Sequence, residues 1–306
     1  MRHIALAVLL LWPAGVHAKV INAEFNFTPF IGDTAKDEVE MVAGSARVLI
    51  NGIPFVEQEV EKRTVPVLFE AREVGAAIWI TGSSLGSLLR KGKNVIRVEF
   101  TPADAKTAYR AQLRWALVND ETTATGDIGQ GTITNQSGEG ADTRDAKGKV
   151  VLEKEFVADF AEDQPWHHYP QVGSVSEEDM KLLAALVARR LELYQPDFTA
   201  LYAFLKQVPA VDAGAIRSAR CLDKAHAAGV RMAAADASTL RFSTTGGAAV
   251  VIEAGKDGLY APTDRDAFEK IKDEEAAMCA SVALYVTFPP RLIVVKSPKG
   301  SWEVVS

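Results

Sequence analysis

Three groups of residues in this chain have types and spacings that could do chemistry. Gly82-Ser83-Ser84-Leu85-Gly86 fits the G-x-S-x-G string that lifts a nucleophilic serine out of a strand-to-helix turn, with Ser84 as the nucleophile. That motif works only at the end of a parallel strand backed by long helices. The segments around it read as short strands, so a plain Gly/Ser turn before Leu88-Leu89 explains the same residues. Trp166-His167-His168-Tyr169-Pro170 is the second group. Its aromatics could stack on a sugar or peptide, and a histidine could act as base. Neighbouring histidines diverge in extended chain and rarely chelate one ion, so interdomain packing is the competing reading. The third group is Arg110 and Arg114, which the alternation of Tyr109–Val118 places on the polar face of a strand. Ser84 is therefore the one catalytic candidate, and Trp166, His167, His168, Tyr169, Arg110 and Arg114 are the binding candidates. No metal set and no cofactor fingerprint is legible, and the balance of the sequence is against an enzyme.

The two cysteines, Cys221 and Cys279, are an even pair. In an oxidising compartment they read as one disulfide, the alternative being two buried thiols. The compartment is suggested by the N-terminus. Met1-Arg2-His3 is followed by an apolar run from Ile4 to Trp12, then Pro13, Gly15 and Val16-His17-Ala18. A basic start, a short apolar run and small residues at the cleavage positions mark residues 1–18 as a secretory signal, with the mature chain starting at Lys19. The run is too short for the ~20 residues of a membrane anchor, and no later segment replaces it.

The formal charge of −6 and the absence of a basic tract leave no electrostatic footprint for nucleic acid. The 288 residues left after cleavage (306 − 18) exceed what one core usually holds, so two domains are expected. Residues 19–172 read as an antiparallel β-sandwich. Asn51-Gly52 between two apolar runs is a hairpin turn, and Val95–Phe100, Tyr109–Val118 and Val150–Phe160 alternate as half-buried strands. Residues 120–149 are rich in Gly, Thr, Asp and Ser, and are expected to form a mobile loop within this domain.

Residues 173–306 read as α+β, with helices preceding an antiparallel sheet. Ser176 caps a first helix, with Asp179 as a capping-box partner and Met180, Leu183, Val187, Leu191 and Tyr194 on one face. A second helix follows Asp197. A third runs from Asp212 to near Gly229, and a fourth from Asp264 to about Ala280. Strands are expected at 240–243, 248–253, 282–288, 292–296 and 302–305.

The stretch from Leu85 to Val98, with its leucines, a Lys91-Gly92-Lys93-Asn94 turn and an alternating strand, resembles galactose-binding-like jelly-roll domains. That resemblance implies a jelly-roll sandwich that binds sugars or supports a neighbour. The last hairpin, Leu292–Val305, resembles that of nuclear-transport-factor-like cone folds. The resulting expectation is an exported, non-catalytic, periplasmic or secreted protein that binds a carbohydrate, an envelope component or a protein partner. A secreted hydrolase and a structural or assembly factor of the cell envelope are the alternatives.

Overall fold

The computed structural model describes residues 20–68, 72–125, 132–208, 211–255 and 258–305, with the main chain alone for 119–125 and 132–137. The expected signal 1–18 and its cleavage point before Lys19 lie outside the described residues. Most of the structure is antiparallel sheet, with a few helices. The chain divides into two compact units at Glu162/Asp163, and the short segment Leu49–Phe55 counts with the second.

In the first unit the strands are β1 (Val20–Ile31), β2 (Glu38–Met41), β3 (Gly44–Ile50), β4 (Ile53–Val60), β5 (Arg63–Leu68), β6 (Glu73–Val74) and β7 (Ile78–Thr81). A one-turn helix, α1 (Gly82–Leu85), then leads to β8 (Gly92–Pro102), β9 (Ala108–Thr125), β10 (Thr132–Lys147) and β11 (Val150–Ala158). One sheet has the order β10-β9-β1-β2-β5-β6, with β7 also paired to β1, and the other is β11-β8-β3-β4. They pack face to face because alternation sends one side of each strand inward. Phe25 meets Phe156 at 4.8 Å between ring centroids, and Phe100 meets Phe27 at 5.8 Å and Tyr109 at 5.5 Å. These rings cross from one sheet to the other and are buried.

The expected hairpin is present. Asn51 and Gly52 take φ of 52° and 78°, the left-handed pair that a two-residue turn between right-twisted strands requires. The Lys91–Asn94 turn is held by Asn94, whose buried amide accepts from Arg90 N–H and donates to the carbonyls of Arg90 and Gly92.

The expected loop at 120–149 is corrected by the structure. Residues 120–125 end β9, and 132–147 form β10, a 16-residue strand paired along β9. The composition that suggested a loop suits an outermost strand, which needs no bulky side chains because its ladder, not its packing, orders it. Gly140 leaves room there for the Trp115 ring, since a Cβ would sit 2.6 Å from it and force the indole to shift.

The second unit contains α2 (Glu177–Arg189), α3 (Thr199–Leu205), α4 (Ala213–Ala219), α5 (Cys221–Ala227), β12 (Met232–Ala234), β13 (Arg241–Thr244), β14 (Ala249–Glu253), β15 (Tyr260–Pro262), α6 (Glu274–Thr287), β16 (Arg291–Lys296) and β17 (Trp302–Val304). Leu183 and Val187 of α2, Leu201 and Leu205 of α3, and Ala280 and Leu284 of α6 share one core with Val250, Ile252, Leu292 and Val294. The last four lie on β14 and β16, inside the sheet β13-β14-β16-β17.

Ser176 caps α2 as expected, its Oγ accepting from Asp179 N–H at 3.1 Å. Three expectations here are revised. The third helix is two helices, broken at Arg220 with φ 51°. The helix expected from Asp264 is only a 3-10 turn, and α6 starts afresh with Asp273 as its cap. Residues 282–287 belong to α6 rather than to a strand. Val282, Tyr285 and Val286 have strand-like types, but Ala276, Ala280, Ala283, Leu284 and Thr287 form the buried stripe, and that spacing is helical.

Cys221 and Cys279 are joined in a disulfide, with Cα atoms 6.0 Å apart, which ties α5 to α6. Among the described residues no helix is long and apolar enough to cross a membrane.

Candidate functional site

The sequence-derived candidates do not converge. Ser84 sits on α1 with its Oγ exposed and donating to Thr81 C=O at 2.6 Å, and among the described residues it has no histidine partner. Its strand, β7, is antiparallel to β1. Trp166, His167 and His168 form a 3-10 turn in which, against the expected divergence, both imidazoles approach the Asp163 carboxylate, His167 Nδ1 at 3.6 Å from one of its oxygens. Trp166 is buried, with its ring 4.1 Å from that of His167, whose Nδ1 accepts from Gln164 N–H at 3.1 Å. His168 is exposed, with Nε2 3.5 Å from the Asp163 carboxylate, and Tyr169 closes the turn by donating its N–H to Trp166 C=O.

Arg110 and Arg114 do share a face, the outer one of the larger sheet. Arg110 pairs with Asp145 at 3.5 Å, and Arg114 makes a close ion pair with Glu73. Between them Gln112 donates to Thr143 Oγ1 at 3.0 Å. Register carries this face further. Asn26 of β1 stands opposite Arg114 on one side and Trp79 of β7 on the other. Residues directly opposite in antiparallel strands point the same way, so Trp79, Asn26 and Arg114 form one row. At ~4.8 Å between strands, that row is ~10 Å long. The adjacent row is Thr81, Glu24 and Ala116.

Trp79 is 65% exposed, although Ile78 and Ile80 on either side of it are buried. The expected ordering force acts on those neighbours: they anchor β7 and leave the indole standing on the surface. Trp79 lies in the apolar segment 76–80 and is not among the candidates legible in the sequence. The available signal was period two, which puts Trp79 on the face opposite Ile78 and Ile80.

One concavity in the second unit, about 290 Å³, is lined by Ala233, Ala234, Asp236, Thr239, Gly255 and Ala261 among others. Asp236 is already engaged there. The Ser238 hydroxyl and N–H both donate to its carboxylate and hold it below the usual range.

A flat indole has an apolar face for C–H groups and an N–H at its rim, and an amide, a guanidinium and a carboxylate beside it can bind hydroxyls in pairs. Fold and surface together define an antiparallel β-rich protein with an aromatic–polar platform on one sheet. No protein-family model, curated protein or solved structure matches this chain.

Proposed function

We propose that this is an exported, non-catalytic binding protein, and that the row Trp79–Asn26–Arg114 takes a carbohydrate. In this reading residues 1–18 are removed and the product begins at Lys19. The two units act as two domains, the first a jelly-roll-like sandwich that binds and the second an α+β domain of cone-like plan. The observation that carries the proposal is an exposed tryptophan in register with hydrogen-bonding side chains on a rigid sheet. Strand-borne groups hold their spacing without ligand, so little ordering entropy opposes binding. An exposed indole is also costly in water, and covering it with the C–H face of a sugar recovers that area.

The test is titration of the mature protein with a panel of neutral and acidic oligosaccharides and peptidoglycan fragments, read by tryptophan fluorescence and calorimetry. Trp79→Ala should weaken binding about tenfold or more, since one aromatic contact and its buried area are worth roughly 1.4 kcal/mol. Its folding stability should stay within about 0.5 kcal/mol, as expected for a surface position. Binding that is unchanged in Trp79→Ala, or no binding across the panel, would reject the proposal.

A further inference from the structure

Among the described residues β10 is the last strand of its sheet: β9 pairs along one edge, and no described strand pairs along the other. A long open edge is a template for another strand, and proteins that stay single usually blunt it with charge, proline or bulges. β10 has register shifts between Thr134 and Gly138, but from Gly138 to Lys147 it runs regularly, without proline.

The charges along this regular part have a particular arrangement. Reading from Glu139 to Lys147, four charges are placed symmetrically about Thr143 with opposite signs: Glu139 is matched by Lys147, and Asp142 by Arg144. Asp145, the remaining charge, already pairs with Arg110. We infer that this edge is the interface for a second copy of the chain, joined through β10 in an antiparallel pair with the two Thr143 residues facing each other across a twofold axis.

In that register each Glu139 meets Lys147 of the other copy on the outer face, and each Asp142 meets Arg144 on the inner face. Asp142 and Arg144 already pair within one strand at 2.7 Å, with a further Arg144 N–H donating to Val151 C=O at 3.1 Å, so two copies would close a ring of four alternating charges around guanidinium groups already fixed in place. Small residues fill the gaps, since Gly140 falls opposite Ala146 and Gly138 opposite Gly148.

The same charges oppose other arrangements. A parallel pairing in register sets every charge against its own sign. Moving the twofold to Asp142 or to Arg144 places two aspartates or two arginines face to face. A shift of half a step mismatches the outward main-chain groups and the faces of the sheet. Charges that only guarded the edge would be of one sign, so that copies repelled. About Thr143 these make four opposite-sign contacts, twice the number made with the twofold at Ala146, where only Asp145 meets Lys147.

The test is sedimentation velocity of the mature protein over a range of concentrations, with folding checked by circular dichroism. A dimer is expected. Glu139→Lys with Asp142→Lys reverses four cross-strand contacts and should weaken it at least about tenfold. Adding Lys147→Glu and Arg144→Glu restores opposite signs and should restore the dimer. Glu57→Lys with Glu59→Lys, on the exposed outer strand of the other sheet, should leave the mass unchanged. Thr143→Cys should give a disulfide-linked dimer on oxidation. A monomer at every concentration would overturn the inference, and so would a dimer indifferent to the reversal. Dimerisation is read without any sugar, so its failure leaves the carbohydrate proposal standing.

Discussion

Asp179 shows how much one side chain can hold in this structure. It follows the Ser176 cap of α2, yet its carboxylate also accepts from Lys296 Nζ at 2.9 Å and from Trp302 Nε1 at 2.8 Å. One residue thus ties the start of α2 to β16 and β17. The Lys296 bond, followed by those from Trp302 and Ser176, holds its pKa down to about 2. The folded value lies below the unfolded one of roughly 3.9, so the stabilisation is complete above that pH and is lost as pH falls toward 2. Asp179→Asn should cost about 1.5–3 kcal/mol at neutral pH, the worth of hydrogen bonds to a charged group. The gap between variant and parent should narrow as pH falls and close only below about pH 2, where the parent carboxyl is mostly protonated too. Urea unfolding at both pH values measures this, and a gap of the same size at each would refute the assignment.

Among elements, the disulfide is the clearest constraint. It joins α5 and α6 across a separation of 58 residues. In the chain-entropy model a loop of that size contributes about 4 kcal/mol by restricting the unfolded chain. Both helices are short of independent stability: α5 has seven residues and α6 fourteen, and each depends on its buried face. Reduction, or Cys221→Ala with Cys279→Ala, should therefore lower unfolding stability by about 4 kcal/mol, read as a shift in urea midpoint. A midpoint that does not move on reduction would show that packing alone holds these helices.

At the scale of the whole chain, the cores of the two units are perturbed by different means. Phe25 is buried in the first, against Phe156, and the disulfide lies wholly in the second. If the units are separate domains, calorimetry should resolve two transitions. Phe25→Ala should lower only one, by about 3–5 kcal/mol as for other buried phenylalanines. Reduction should lower only the other. One transition moved by both changes would mean a single cooperative unit.

The sequence by itself determined what short-range physics controls. Asn51-Gly52 specifies its turn through φ, Ser176 its cap through one hydrogen bond, and the alternation of Tyr109–Leu113 its buried face. The pairing of Cys221 with Cys279 was legible because there are only two cysteines. The sequence misled where the deciding partner is remote. β10 is a strand because β9 offers it a ladder, which its own Gly- and Thr-rich composition does not announce. The break at Arg220 carries no proline or glycine, and α6 absorbs 282–287 because its small residues fit the core beside α5. The platform is the same kind of case. Trp79, Asn26 and Arg114 lie on three strands separated by dozens of residues, and only tertiary register, which sets strand beside strand, puts them in one row.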